Sequence, residues 1–336
     1  MTATPDATSL GVPAEAPPTS GTDGRAAGWV RGVYVANLVA QTGIVLTGGL
    51  VRVTGSGLGC PTWPECVEGS IAPTSAQTEG FHKFIEFGNR TLTGVLGLLA
   101  LAALVAAVLD GRRRVRAGLL RRGPLLALAA IPLLGTVAQA VLGGITVLTG
   151  LNPVIVAGHF LLSMAIIGGC VVLVQRAGEP GDRPLVWIVR PEVRWLGWLL
   201  VAVGAVTLVL GTVVTGSGPH SGDSGADSRL PFDPRTVSWL HADVVLLFLG
   251  LVAGMVLALR LVDAPSAARR RGWWLVGAVL LQGFLGYLQY FTGLPWPVVA
   301  AHMLGACLVW IAVVRLQLGL RTRGQSTGQA PRVPAA

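Results

Sequence analysis

Charged residues are scarce in this 336-residue chain, where Asp, Glu, Lys and Arg make up 12% and hydrophobic residues 52%. Soluble domains carry about a quarter charged residues, so the composition excludes that class and indicates a polytopic helical membrane protein. Lysine is represented by Lys83 alone, and there are only five histidines. Glycine, by contrast, is abundant at 46 residues, which suits helices that pack closely in lipid.

Eight apolar windows are long enough to span a bilayer. They cover approximately residues 29–51, 82–109, 124–149, 154–175, 195–215, 239–259, 273–293 and 298–314. Arginine is concentrated in every second connection, and basic connections stay in the cytoplasm. We therefore expect a multi-pass plasma-membrane protein with both termini cytoplasmic. The net charge of +9 is a topology signal, and no nucleic-acid partner is indicated.

The chain repeats itself. Val-Thr-Gly-Ser-Gly occurs at residues 53–57 and again at 214–218, and residues 139–159 match 282–302 without a gap. A four-plus-four duplication gives both halves the same orientation in the membrane. The predicted fold is therefore all-α, with eight transmembrane helices as two tandem four-helix bundles related by a pseudo-two-fold axis along the membrane normal.

The predicted boundaries follow from this duplication. The N-terminal half covers residues 29–176 and the C-terminal half residues 195–318. Residues 1–28 lack the basic region and apolar core of a secretory signal. We expect them, and residues 319–336, to form disordered cytoplasmic tails.

Two of the four cysteines, Cys60 and Cys66, lie in the outer-loop sequence CPTWPEC. Outside the cytoplasm such a pair favours a disulfide; a redox-active pair and a metal site are the alternatives. Metal is the weakest of these, because the loop offers no further Cys or His. Cys170 and Cys307 lie within apolar runs, as small core residues do.

Four of the five histidines lie at outer ends of even-numbered spans: His82, His159, His241 and His302. A single histidine in a span is usually a core or interfacial residue, but four histidines in a duplicated pattern favour a role as metal ligands. Neutral imidazole binds haem iron, and facing helices of a bundle can hold a haem from both sides. Two histidines per half predict one haem site per half. Zinc or copper would require additional ligands that the sequence hardly offers.

The segment at residues 82–94 places Lys83, Glu86, Asn89 and Arg90 at the start of the second span. Ionisable groups in a membrane usually mark function, although charges that snorkel to headgroups are the plain alternative. Counting back from Asp110, Asn89 occupies the depth of the other histidines. Counting from the Val-Thr-Gly-Ser-Gly repeats favours His82 instead. Both interpretations stay open.

Together the loop TGSGLGCPTWPEC, the span opening IEFGNR, the duplication and the even-span histidines resemble the haem A synthase family over nearly all of residues 29–318. The resemblance implies oxidation of the C8 methyl of haem O to a formyl group. It also implies haem b as cofactor, molecular oxygen, haem O from a haem O synthase, and an electron donor of unknown identity. A homo-oligomer is a further expectation.

The resemblance also implies roles for individual residues. The C-terminal half would bind haem b through His241 and His302, and the N-terminal half would bind substrate through His159. Glu86 would be catalytic, and Cys60 and Cys66 match the family's outer-loop pair.

One position departs from the family pattern Glu-x-x-His-Arg, because Asn89 stands where histidine is expected. Either His82 is the second substrate ligand, or His159 holds the iron alone. Arg52, Lys83 and Arg90 are candidates for pairing with haem propionates.

Two other functions use the same features. A di-haem b electron-transfer protein would need the four histidines but not Glu86. A transporter of haem or another solute would use the duplicated fold without altering its substrate.

Overall fold

The computed structural model describes residues 25–119, 121–179, 181, 184–220, 222 and 229–323. Within these ranges it contains eight helices and two short strands. The helices are α1 (Gly28–Val53), α2 (His82–Arg116), α3 (Gly123–Leu148), α4 (Pro153–Ala177), α5 (Pro191–Ser217), α6 (Pro234–Leu261), α7 (Ser266–Phe291) and α8 (Trp296–Leu318). Every one is long and apolar enough to cross a membrane, which confirms the eight predicted spans.

Each half packs as a ring of four helices. In the first half α1 contacts α2 and α4, and α3 contacts the same two; in the second, α5 contacts α6 and α8, and α7 contacts both. This confirms the predicted bundle packing. It also places α2 diagonally opposite α4, and α6 diagonally opposite α8.

The two bundles meet along α1, α4, α5 and α8. Trp310 of α8 donates a hydrogen bond from Nε1 to the backbone oxygen of Met164 in α4, at 2.8 Å. Its ring lies beside Gly168 and Gly204, where a Cβ would come within 3.4 and 3.9 Å of it. Small residues thus let this indole join the halves. Each half also has its own buried core.

The turns before α4 and α8 have the same backbone conformation. Gly150 and Leu151 have φ of 59° and 61°, and Gly293 and Leu294 have φ of 77° and 60°. Glycine adopts this left-handed region freely, whereas a leucine there is strained by about 1–2 kcal/mol. The repeated Thr-Gly-Leu turn therefore starts both helices in the same way.

The first residue of each helix determines how far along that helix the candidate residues lie. His159 and His302 are each the seventh residue of their helix, so both lie about 9 Å along it. Asn89 and His241 are each the eighth residue of α2 and α6, at about 10 Å. His82 begins α2. By helical depth, Asn89 is the counterpart of His241.

The two strands join the connection between α4 and α5 to the segment that follows α8. β1 (Leu185–Trp187) pairs antiparallel with β2 (Arg321–Arg323). The predicted tail at 319–336 therefore opens with an ordered strand. Residues 1–24 and 324–336, which carry the rest of the tail predictions, lie outside the described residues.

Candidate functional site

A cavity of about 1650 Å³ lies among the N-terminal parts of the even-numbered helices and the C-terminal parts of the odd-numbered helices, and all eight helices contribute to its lining. It exceeds the range of roughly 300–1,000 Å³ that is usual for a small-molecule pocket. His159, His241 and His302 line it. The diagonal arrangement of α6 and α8 places two of these imidazoles in one bundle, close enough to interact electrostatically.

The three imidazoles share one environment. The Nδ1 atom of each is buried, and backbone groups of Thr207 and Gln282 lie close to the rings of His241 and His302. The rings line the cavity and their Nε2 atoms are not among the buried polar atoms that lack a partner, so Nε2 faces the cavity. An imidazole nitrogen that faces an apolar cavity is suited to bind a metal.

A glycine from a neighbouring helix packs against each ring. A Cβ at Gly143, Gly211 or Gly286 would lie 3.3, 3.5 or 3.2 Å from the Cε1 atom of His159, His241 or His302 respectively. These glycines leave the imidazoles the space that a larger side chain would take. Sequence reasoning did not single them out, although Gly143 and Gly286 occupy equivalent positions of the repeat.

Glutamines on the odd-numbered helices support two of the histidines. Gln139 Nε2 donates to the backbone oxygen of His159 at 2.9 Å, and Gln282 Nε2 donates to that of His302 at 2.9 Å. The repeat contained this signal, since both pairs match without a gap. The same hydrogen bond thus positions the fourth helix of each half against the third.

Glu86 is held by the outer loop. Its Oε2 accepts from the backbone N–H of Cys60 at 2.7 Å, and its Oε1 accepts from Arg90 Nη2 at 2.6 Å. The side chain is 5% exposed and lines the cavity. A buried carboxylate with two charge-assisted or backbone donors is fixed in place. It is the one acidic side chain of α2 that faces the cavity among the described residues.

The loop is itself closed by a Cys60–Cys66 disulfide, as predicted. Arg90 binds this loop through Nη1 to the Thr62 oxygen at 2.8 Å and through Nη2 to the Cys60 oxygen at 2.6 Å. Trp63 of the same loop lies on Gly144 of α3 and lines the cavity. Sequence reasoning missed Trp63, because nothing in a loop sequence shows which aromatic folds inward. Within the described residues no cluster of three or more His, Cys, Asp or Glu could hold a metal ion.

Two of the predicted site residues, Lys83 and His82, do not line the cavity. Lys83 Nζ donates to the Thr74 oxygen at 2.7 Å and is not among the lining residues. His82 is exposed, does not line the cavity, and its Nδ1 lies 2.8 Å from Ser56 Oγ. Both residues therefore organise the outer loop.

Arg52 lines the cavity and connects the halves. Its Nε donates to the His220 oxygen at 2.7 Å, and its Nη2 donates to the Thr215 oxygen at 3.2 Å. His220 also lines the cavity, and its Nε2 lies 3.0 Å from the Leu294 oxygen. His220 thus connects Arg52 of the N-terminal half to Leu294 of the C-terminal half.

The family assignment rests on residues 31–220, which match the COX15-CtaA family, described as cytochrome oxidase assembly protein. The chain belongs to this family. The match covers more than half of the chain. It includes the outer loop, Glu86 and His159.

Three relatives of this chain share the name haem A synthase. The chain is 26% identical to the haem A synthase of Bacillus licheniformis over 315 residues, which are 88% of this chain and 98% of that protein. It is 36% identical to the haem A synthase of Lysinibacillus sphaericus over 189 residues, 53% of this chain and 57% of that one. It is 29% identical to that of Geobacillus kaustophilus over 146 residues.

Proposed function

We propose that this protein is a haem A synthase, which oxidises the C8 methyl of haem O to a formyl group. The observation that carries the proposal is a single large cavity faced by three imidazoles and by the clamped carboxylate of Glu86. Membership of the COX15-CtaA family and the names of its relatives agree with it.

The C-terminal bundle is suited to a resident haem b. His241 and His302 project from diagonal helices, with accessible Nε2 atoms and a glycine beside each ring. These residues fit a haem held from both faces. Haem b would supply one-electron transfer between an external donor and the substrate site.

The N-terminal bundle is suited to the substrate haem. His159 would bind its iron, and Gln139 holds the backbone of that residue in place. His82 plays no part in this proposal, because its ring nitrogen lies against Ser56 outside the cavity. Apolar residues of α1 to α4 would surround the macrocycle.

The reaction requires two successive hydroxylations of the methyl carbon. Each would consume one molecule of oxygen, two electrons and two protons, add a hydroxyl group and release one water. The resulting geminal diol loses water to give the formyl group. Glu86 would move protons at this carbon, since positioned carboxylates act as general acids and bases. Arg90 and the Cys60 N–H would keep it oriented.

The basic residues of the site have structural partners. Arg90 and Lys83 donate to backbone oxygens of the outer loop, and Arg52 donates to those of His220 and Thr215. In this proposal they shape the outer wall of the cavity. A haem propionate would bind those side-chain N–H groups that are not already donating to backbone oxygens.

We also propose that both termini are cytoplasmic. Each even-numbered helix carries arginine in its last turn: Arg116 in α2, Arg176 in α4, Arg260 in α6 and Arg315 in α8. Basic residues at one membrane face indicate the cytoplasmic side. The cavity would then face the outer leaflet, where haem O from a haem O synthase can reach it.

The test is expression in a host that makes haem O but has no haem A synthase of its own. Haem extracted from its membranes, separated and weighed by mass spectrometry, should contain the formyl product. Haem b as the sole haem bound to the purified protein, with no conversion of haem O, would contradict the proposal. That result would favour the electron-transfer protein.

A further inference from the structure

The two bundles differ at one equivalent position. The eighth residue is His241 in α6 and Asn89 in α2. Each lies beside a glycine of the preceding helix, since a Cβ at Gly211 would approach His241 and one at Gly48 would lie 3.8 Å from Asn89 Nδ2. The C-terminal bundle thus has an imidazole at the position where the N-terminal bundle has an amide.

Asn89 has a defined orientation. Its Oδ1 accepts a hydrogen bond from Thr47 Oγ1 at 2.8 Å. Its Nδ2 has no acceptor among the described residues, and the side chain lines the cavity. An amide nitrogen is a donor with no lone pair to give to iron. Asn89 therefore offers N–H groups where His241 offers a ligand.

No other residue of α1 to α4 replaces the missing ligand. Among the described residues of these helices that line the cavity, His159 is the only His, Cys, Met or Tyr. Glu86 is engaged by Arg90 and by the Cys60 N–H. The thioether of Met303 in α8 packs against Gly49, where a Cβ would come within 2.8 Å of its Sδ.

We infer that the N-terminal bundle holds its haem through His159 alone, leaving the opposite face of the iron open to a small diatomic ligand to which Asn89 Nδ2 donates a hydrogen bond. This inference rests on the proposed function, because it takes haem O as the occupant of that bundle. It assigns different coordination to the two halves. The C-terminal haem is six-coordinate and closed, and the N-terminal haem is five-coordinate and open.

The experiment uses the purified full-length protein, loaded with haem O, reduced and free of oxygen, with carbon monoxide as the probe. We expect one population of haem to be high-spin and to bind carbon monoxide, and a second to stay low-spin and inert. The binding population should be absent from His159→Ala. No turnover is needed, so the result does not depend on whether the protein oxidises haem O.

Two substitutions at one position separate coordination from folding. Asn89→His should convert the open haem to a low-spin form and abolish its carbon monoxide binding. Asn89→Leu, of similar size, should keep the binding but raise the C–O stretching frequency, because the hydrogen-bond donor is lost. An unchanged frequency in Asn89→Leu would overturn the role of the amide.

The opposite spectra overturn the inference in separate ways. A His159-dependent haem that is low-spin and inert to carbon monoxide would mean a second protein ligand. Met303→Leu and His82→Ala would then show which residue supplies it, and the proposed function would stand. A protein with no His159-dependent haem would contradict both the inference and the proposed function.

Discussion

The N-terminal and C-terminal bundles agree at one helix and diverge at its diagonal partner. His159 and His302 have the same depth, the same preceding turn and the same glutamine contact. Asn89 and His241 share a depth but not a chemistry. At this level the C-terminal bundle therefore has two imidazoles facing the cavity, and the N-terminal bundle has one.

The loop between α1 and α2 also differs from the corresponding connection between α5 and α6. In the N-terminal half, the loop between α1 and α2 carries the disulfide, binds Glu86 and Arg90, and places Trp63 over α3. The corresponding connection before α6 contains no cysteine. In the described residues, these hydrogen bonds and the disulfide lie beside Glu86, where the substrate would be oxidised in the proposed reaction.

The largest effect should come from removing one histidine from each half. His302→Ala should eliminate the C-terminal haem, and His159→Ala the substrate haem, because each removes a proposed ligand of the iron. Both variants should make no product, but their spectra should lose different components. Quantified haem per protein and electron paramagnetic resonance would separate them. Loss of the same component from both would break the assignment of one haem to each half.

Replacement of Glu86 tests whether chemistry is confined to the N-terminal half. Glu86→Gln keeps the size and should lower turnover by about 10²–10⁴-fold, which is the usual contribution of a general acid–base group. Haem content should stay normal. Glu65→Gln is the matched control, since Glu65 belongs to the same loop and binds only the exposed Gly69 N–H with its side chain. Equal losses in both variants would point to a disturbed loop.

Much of this comparison was predictable from the sequence. The eight spans followed from apolar length, and the equivalence of His159 and His302 followed from an ungapped repeat. Two counts along the sequence disagree on whether Asn89 or His82 lies at the depth of the other histidines. They disagree because the length of a loop does not determine where the next helix begins. Helix starts resolved it, as α2 begins at His82 and thereby puts Asn89 at the eighth position.

The partners of the charged residues could not be predicted. Charge alone makes Arg52, Lys83 and Arg90 candidates for propionate contacts, yet each donates to backbone oxygens. Which carbonyl a long side chain reaches depends on how a loop folds over a bundle, and that contact has no periodic signature. The sequence did not indicate the inward position of Trp63 for the same reason.

Substitution of the glycines beside the histidines should have a smaller and more local effect. Gly286→Val should displace the His302 ring, and Gly143→Val the His159 ring, at a cost of about 1–3 kcal/mol from overpacking. Each should lower haem occupancy in its own half only. Gly277→Val, on α7 with nothing within 4 Å of the added Cβ, is the control for helix propensity. Thermal stability and haem content measured together would reveal any effect that crosses between the bundles.

The smallest expected difference between the halves concerns the first turns of α4 and α6. Asp233 caps α6 and Asn152 caps α4. Hydrogen bonds from Thr236 hold the pKa of Asp233 below its usual range. Its folded pKa is depressed, so its contribution is present above the unfolded pKa of about 3.9 and is lost as pH falls through the lower folded value. The amide of Asn152 does not titrate.

Acidification below about pH 4 should therefore loosen the first turn of α6 and leave that of α4 unchanged. Hydrogen exchange resolved by peptide, corrected for the intrinsic pH dependence, would measure both turns in one sample. Asp233→Asn keeps a good capping residue without a titrating group, so its α6 turn should respond as little as that of α4. Acid sensitivity that persists in this variant would mean that another group near His241 titrates, and the pH difference between the halves would then lie inside the cavity.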